Sequence, residues 1–118
     1  MATKPIVGVP TPFRRIVGYN WLLLLNGDNG APLQMSAWQD RTVQITGTFG
    51  IAGTIVIEGS NDGVNYKTLR DPGGTALSFT AADLKAILEL PKWIRPRVTG
   101  GDGTTSLNVY INGRGDTH

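Results

Sequence analysis

The segment formed by residues 53–69, GTIVIEGSNDGVNYKTL, constrains the fold more than any other part of the chain. In its first half the apolar residues Ile55 and Ile57 occupy alternate positions, which is the two-residue period of a half-buried strand. A cluster of turn-forming residues follows, and its Asp62-Gly63 pair is among the strongest short signals for a β-hairpin. The segment therefore predicts two antiparallel strands joined by a tight turn, and it contains no arrangement typical of a catalyst.

The same pattern of strand and turn recurs along the rest of the chain. Apolar residues occupy alternate positions over residues 33–38, 41–49, 93–99 and 107–111, and segments rich in Gly, Asn, Asp or Pro lie between them. About seven or eight short strands, with a turn roughly every ten residues, are typical of a β-sandwich or a small barrel. We predict an all-β protein, an antiparallel, jelly-roll-like β-sandwich with one short helix.

Three segments each predict a particular structural element. The apolar run at residues 21–25, WLLLL, is too short to span a bilayer and predicts a strand that is buried on both faces. Residues 80–88 carry the helical signal, because a Thr followed three residues later by an Asp resembles a capping box and Pro91 ends the segment. Pro96 has no amide proton, so its strand is expected at a sheet edge or with a bulge.

The residue inventory argues against an enzyme. The chain has no cysteine, and its one histidine, His118, is the last residue, so the usual bases and nucleophiles are missing from the interior. Several acidic residues stand in turns, where their side chains bond to the local backbone. Calcium is the alternative for two of these turns, whose oxygen ligands would be Asn61, Asp62 and Asn65, with Asp28 and Asn29. We expect no catalytic residue, no metal and no cofactor.

The charge balance, the first residues and the absence of cysteine limit the partners and the location that we expect for the chain. The chain has 11 Lys and Arg against 9 Asp and Glu, a net charge of +2. This balance is far from the strongly basic one of a dedicated nucleic-acid-binding protein. The first residues lack the pattern of a secretion signal, and the absence of cysteine fits synthesis in a reducing cytoplasm. We expect neither membrane insertion nor direct binding of nucleic acid.

The chain divides into three parts. Residues 1–15 contain three prolines and are expected to form an extended arm, residues 16–113 the β-sandwich domain, and residues 114–118 a flexible tail. The arm has apolar residues with which it can dock on its own domain or on a neighbouring subunit. Its candidate partner-binding residues are Lys4, Phe13, Arg14 and Arg15.

A second candidate surface follows from the alternation at residues 93–99. Trp93, Arg95 and Arg97 are expected to project from the same face of this strand, beside Lys92. Such a stripe is compatible with a solvated face, with a protein interface enriched in Trp and Arg, or with contact to a polyanion. The sequence leaves these three roles open.

The hairpin at residues 57–69, IEGSNDGVNYKTL, resembles the strand–turn–strand of discoidin-type carbohydrate-binding jelly rolls, which carry a similar SNDG turn followed by an aromatic residue. The chain is short for that family and lacks its terminal cysteines. The resemblance implies a carbohydrate-binding module on a phage or a secreted surface. Its candidate sugar contacts are Trp38, Asn61, Asp62 and Tyr66.

A longer resemblance covers residues 41–111 and is strongest in WIRPRVTGGDGTTSL, residues 93–107. This series is similar to the small capsid decoration, or cement, proteins of tailed bacteriophages. The resemblance implies a virion protein that binds the outer surface of the assembled shell and contacts the major capsid protein. It also implies a dimer or trimer on a symmetry axis, which clamps neighbouring capsomers against the pressure of packaged DNA.

Overall fold

The computed structural model describes residues 3–9, 16–34 and 40–114, which form twelve strands. The strands are β1 (Thr3–Lys4), β2 (Val7–Val9), β3 (Ile16–Leu25), β4 (Asn29–Gly30), β5 (Leu33–Gln34), β6 (Asp40–Thr48), β7 (Thr54–Ser60), β8 (Lys67–Thr68), β9 (Ser78–Phe79), β10 (Asp83–Ala86), β11 (Trp93–Gly100) and β12 (Ser106–Arg114). Sheet I has the order β1-β4-β11-β7-β8, with β5 also paired to β11 and β9 to β7. Sheet II has the order β10-β6-β12-β3-β2.

The two sheets share one apolar core. In sheet II, β12 lies between β6 and β3, and its Leu107, Val109 and Ile111 are buried at alternate positions. In sheet I, Ile55 and Ile57 of β7 belong to the same buried cluster. Burial of one face of each sheet against the other is the arrangement of a β-sandwich. The prediction of an all-β sandwich is therefore confirmed.

The predicted helix at residues 80–88 is wrong. Residues 83–86 form β10, which pairs antiparallel with β6 so that Leu84 lies opposite Gln44. Ile87 then continues the contact by donating its amide to the carbonyl of Arg41. A two-turn helix is marginal by itself, and the open edge of β6 satisfies the same backbone groups over four paired residues. The described residues contain no helix at all, and hence none that could cross a membrane.

The leucine run at residues 21–25 is also not buried on both faces. Trp21 lies opposite Val109 and Leu24 opposite Leu107, so two residues of β3 oppose the single intervening residue of β12. This is a β-bulge, and Leu23 within it has a φ of 57°. The bulge directs both Trp21 and Leu24 into the core, whereas Leu22, Leu23 and Leu25 are exposed.

Pro96 does not mark an edge strand, because β11 has β7 on one side and β4 and β5 on the other. The amide of Val98 donates to the carbonyl of Asp28, so the nitrogen of Pro96, two residues earlier, points to the same side of the strand. The pairings of β11 are with β4 at Arg97 and with β5 at Trp93 and Ile94, so Pro96 lies between the two paired stretches. The missing donor is thus placed at a gap in the pairing. The irregular register with β7 lies further along, between Val98 and Gly100.

Residues 3–9 of the predicted arm connect the two sheets. β1 pairs with β4 in sheet I, in parallel, and β2 pairs antiparallel with β3 in sheet II. Between them, Ile6 packs against the shared core. This part of the arm therefore lies on its own domain. The predicted partner-binding residues Phe13, Arg14 and Arg15 lie outside the described residues, as does the C-terminal His118.

The core packing beside Pro96 predicts a sharp response at one glycine. A Cβ on Gly30 would lie 2.5 Å from Cδ of Pro96 and 2.7 Å from Cδ1 of Trp21. Gly30→Ala should lower the free energy of unfolding in urea by about 1–3 kcal/mol, the usual range for an overfilled core. Gly103→Ala is the control, since a Cβ there meets nothing within 4 Å. Equal unfolding midpoints for the two variants would contradict this packing.

Candidate functional site

The outer faces of the two sheets are the surfaces available for contact with a partner, because the inner faces form the core. Residues directly opposite each other in a sheet project to the same side, so the register assigns every described strand residue to one face. The sheet II outer face includes Val7, Gly18, Asn20, Leu25, Asp40, Thr42, Gln44, Thr46, Thr48, Leu84, Ala86, Ser106, Asn108, Tyr110, Asn112 and Arg114. Leu22, which alternates with the inward Trp21, is exposed on the same face.

This face is almost free of charge. Among its described residues only Asp40 and Arg114 are ionisable in the physiological range, and they lie directly opposite each other at one end. The rest are amides, hydroxyls, small residues, aliphatic side chains and one tyrosine. A charge-poor surface is unusual for a face turned to water, and depletion of charge is a property of protein interface cores. The chain carries 20 Lys, Arg, Asp and Glu in all, and of those among residues 3–9, 16–34 and 40–114 only Asp40 and Arg114 lie on this face.

One row crosses the whole sheet at the middle of this face. Val7, Asn20, Tyr110, Gln44 and Leu84 lie opposite one another on β2, β3, β12, β6 and β10. Leu84 at the end of the row is 60% exposed. Tyr110 borders a shallow depression of about 200 Å³ that Gly18 of β3 and Leu84 of β10 also line. The row thus places an aromatic ring at the centre of the face and aliphatic groups at both margins.

The outer face of sheet I is different, because its charges are paired with one another. Glu58 of β7 is 3% exposed, and its carboxylate accepts hydrogen bonds from Nε of Arg95 at 2.7 Å and from Nε of Arg97 at 3.2 Å. Arg95 lies directly opposite Glu58 in the register, and Arg97 lies on the same face two residues further. The ion pairs with two guanidiniums offset the desolvation cost of burying the Glu58 carboxylate.

Aromatic residues complete this cluster. The guanidinium of Arg95 lies 3.8 Å from the ring centre of Tyr66, a cation–π contact that also covers the ring. The hydroxyl of Tyr66 is buried and finds no hydrogen-bond partner among the described residues. Trp93 is half-buried next to Gly63 of the hairpin turn, and the ammonium of Lys92 lies 6.0 Å from its ring. The predicted stripe of Trp93, Arg95 and Arg97 is therefore a fixed, internally bonded surface.

The hairpin turn uses its polar groups to hold its own shape. The Asp62 carboxylate accepts hydrogen bonds from the amides of Val64 and Asn65, the side-chain amide of Asn65 and the hydroxyl of Ser60. These bonds, that of Ser60 first, hold the pKa of Asp62 well below its usual range. Asn61 accepts a hydrogen bond from the amide of Lys92. The turn residues considered as sugar or calcium contacts are thus engaged in local structure.

The remaining candidate residues do not join one site. The ammonium of Lys4 lies 3.7 Å from the buried carboxylate of Asp28, whereas Arg95 and Arg97 form ion pairs with the carboxylate of Glu58. Trp38 lies outside the described residues. Within residues 3–9, 16–34 and 40–114, no group of three or more His, Cys, Asp or Glu side chains is arranged to hold a metal ion.

The sheet II outer face was not predicted from the sequence. Its residues come from five strands that are far apart in the chain, so no local motif marks it. A signal was present in two of the strands. The outward positions Thr42, Gln44, Thr46 and Thr48 of β6, and Ser106, Asn108, Tyr110 and Asn112 of β12, are all uncharged.

Comparison with known proteins shows similarity of fold only. The chain is similar to the SPBc2 prophage-derived protein YomS, with a TM-score of 0.62 and 10% identity over 88% of this chain and 98% of that one. It is also similar to the cupin domain of Schizosaccharomyces pombe Cnp3, with a TM-score of 0.53 and 10% identity. That alignment covers 95% of this chain and 61% of the other. No protein-family model and no curated sequence matches the chain.

The Glu58 cluster predicts a contrast between two glutamates. Glu58→Gln removes the charge shared by two guanidiniums in a buried position, and should lower the free energy of unfolding by about 1–3 kcal/mol. Glu89→Gln makes the same change in an exposed pair with Arg70 and should cost at most about 1 kcal/mol. Urea unfolding of both variants measures the difference. A loss for Glu58→Gln no larger than that for Glu89→Gln would contradict the assigned role.

Proposed function

We propose that this protein is a non-enzymatic structural component of a tailed-bacteriophage particle that binds the outer surface of the assembled capsid. The observation that carries the proposal is the charge-poor, partly apolar outer face of sheet II. The resemblance of residues 41–111 to capsid decoration proteins supplies the partner, and the fold shared with a prophage-derived protein is consistent with it.

The chemistry of the sheet II outer face favours a protein as the partner. A polypeptide surface offers both apolar contacts and hydrogen-bonding groups, and this face presents leucines beside amides that donate and accept. Leu22, Leu25 and Leu84 are exposed on it, so its burial removes apolar area from water. Tyr110, central and aromatic, has the position and residue type of an interface hot spot.

In this proposal the major capsid protein of the shell occupies the sheet II outer face. The protein is made in the bacterial cytoplasm, assembles as a dimer or trimer and clamps neighbouring capsomers, without a cofactor, a membrane or nucleic acid as partner. Trp93, Arg95 and Arg97 form a second surface, on the opposite side of the sandwich. Because their contacts with Glu58 and Tyr66 already fix two of these side chains, less side-chain entropy is lost when a neighbour packs on them.

The β10 edge of sheet II is a less suitable place for such a partner. β10 has only four residues, and two of them, Asp83 and Lys85, are charged. Short edge strands with charged residues are a common defence against pairing with another chain. Contact through the face of the sheet, and not extension of its β10 edge, is therefore the geometry that we propose.

Co-sedimentation with assembled, expanded shells tests the proposal. The wild-type protein should pellet with the shells, and Tyr110→Lys should bind at least about tenfold more weakly, because it places a charge at the centre of the interface. Val64→Lys is the matched control, since Val64 is 79% exposed in the hairpin turn and should leave binding unchanged. The mass of the free protein, from the same ultracentrifuge, should equal two or three chains.

Two results would overturn this function. In the first, shells sediment without the wild-type protein and no virion contains it. In the second, the protein binds a glycan at millimolar concentration and loses this binding on substitution of Tyr66, which would favour the carbohydrate-binding alternative. The structure offers little for that alternative, since Arg95 covers the Tyr66 ring and the Asn61 and Asp62 side chains are bonded within the protein.

A further inference from the structure

We propose that the outer face of sheet I docks an acidic segment of a partner protein, with Arg97 as its main contact and Arg95 beside it. This inference rests on the proposed function, in which a neighbour packs on this face, and it names the chemistry of that neighbour. Its basis is a pair of guanidiniums that share one buried carboxylate and leave a positive charge at the surface.

The charge on this face is positive. The register places Arg95 and Arg97 of β11 on it, together with Glu58 of β7. Among the other described strand residues that the register assigns to the face, none is charged. Two guanidiniums against one carboxylate leave one positive charge, and the exposed Lys92 at the start of β11 adds another. A positive face is complementary to an acidic partner.

The two guanidiniums are held in place before any partner arrives. Arg95 donates through Nε to Glu58 at 2.7 Å and stacks on the ring of Tyr66 at 3.8 Å. Arg97 donates through its own Nε to the other oxygen of the same carboxylate at 3.2 Å. A free arginine side chain carries about 2 kcal/mol of rotamer entropy. Much of that entropy is lost here on folding, so binding costs less.

The remaining donors of Arg97 are open to solvent. Its side chain is 44% exposed, whereas that of Arg95 is 23% exposed and that of Glu58 4%. No nitrogen of either arginine is among the buried side-chain atoms that lack a hydrogen-bond partner. Since Nε of Arg97 bonds to Glu58, its two Nη groups are the donors that an incoming acceptor reaches.

A carboxylate is the acceptor that these donors fit. The planar fork of a guanidinium matches the two oxygens of a carboxylate. Directly opposite Arg97 lie Asn29 of β4 and Val56 of β7, neither of which is charged. The carboxylate of Asp62 belongs to the turn beside Trp93, and Arg97 lies four residues beyond Trp93, about 13 Å along an extended strand. An acidic side chain therefore meets little repulsion at Arg97.

The aromatic residues of this face favour a protein over a nucleic acid. Surfaces that bind single strands stack bases on open aromatic rings and follow the phosphates with many cations. Here Arg95 covers the ring of Tyr66, and Trp93 is half-buried beside Gly63. The whole chain has a net charge of only +2. A compact positive spot between fixed side chains suits one or two carboxylates of a polypeptide.

An NMR titration of the full chain with a decaglutamate peptide tests this inference. The Nε–H signals of Arg95 and Arg97 should shift and saturate at low salt, and added sodium chloride should weaken the binding. A decaglutamine peptide should shift neither signal, and a thymidine decanucleotide should bind more weakly than decaglutamate. Because the titration contains no shells, its outcome is independent of co-sedimentation through the sheet II outer face.

Variants locate the contact. Arg97→Gln should weaken decaglutamate binding about tenfold or more, the usual effect of losing a hydrogen bond between charged groups. Arg97→Lys keeps the charge but loses the planar fork, so it should bind between Arg97→Gln and wild type, and it replaces Arg97→Gln if that variant does not fold. Arg70→Gln, in an exposed pair elsewhere, is the control and should bind as wild type does. The docking site is disproved if the Arg97 signal does not shift, if the Arg97 variants bind as Arg70→Gln does, or if the decanucleotide binds more tightly than decaglutamate.

Discussion

The single apolar core shared by two sheets is the constraint on which the rest of this structure depends. Each long strand presents one face to that core, so side chains with other roles must lie on the outer faces, in the turns or at the open ends. The bulge in β3 shows how strictly the core is filled. It keeps both Trp21 and Leu24 inside and leaves Leu22 and Leu23 on the surface. An exposed leucine here is thus a product of core packing as well as a candidate contact.

Local patterns predicted most of the long strands, because the alternation of apolar and polar residues shows which side chains of a strand are buried. The alternation in β6, β11 and β12 marks one inner and one outer face, and the Asn61-Asp62-Gly63 turn joins β7 to the segment leading to β8. The expectation of a half-buried strand was wrong for β7, because Arg95 and Arg97 cover its outward Glu58 and residues 55–60 are buried on both faces. The leucine run was misinterpreted because it contains no polar residue to mark a face, so nothing local reveals a bulge. The helix prediction failed because residues 83–86 meet the free edge of β6, and a tertiary contact outweighed a weak local preference.

The candidate sites depend on register and were harder to predict. The sequence placed Trp93, Arg95 and Arg97 on one face, but their contact with Glu58 arises only when β7 and β11 align. The charge-poor face likewise combines alternate residues of five separate strands.

The two outer faces therefore differ in what they can offer a partner. On sheet I, charged and aromatic groups already bond to each other, whereas the sheet II outer face presents amides and aliphatic groups without charge across its middle. Hydroxyl-radical footprinting of the protein, free and bound to assembled shells, tests this account most directly. If the sheet II outer face binds the shell, the side chains of Leu22, Leu84 and Tyr110 become protected from labelling in the bound state. Ile51 and Val64, which lie in turns, are labelled as in the free protein. Protection of Ile51 and Val64 with unchanged labelling of Tyr110 and Leu84 would contradict it.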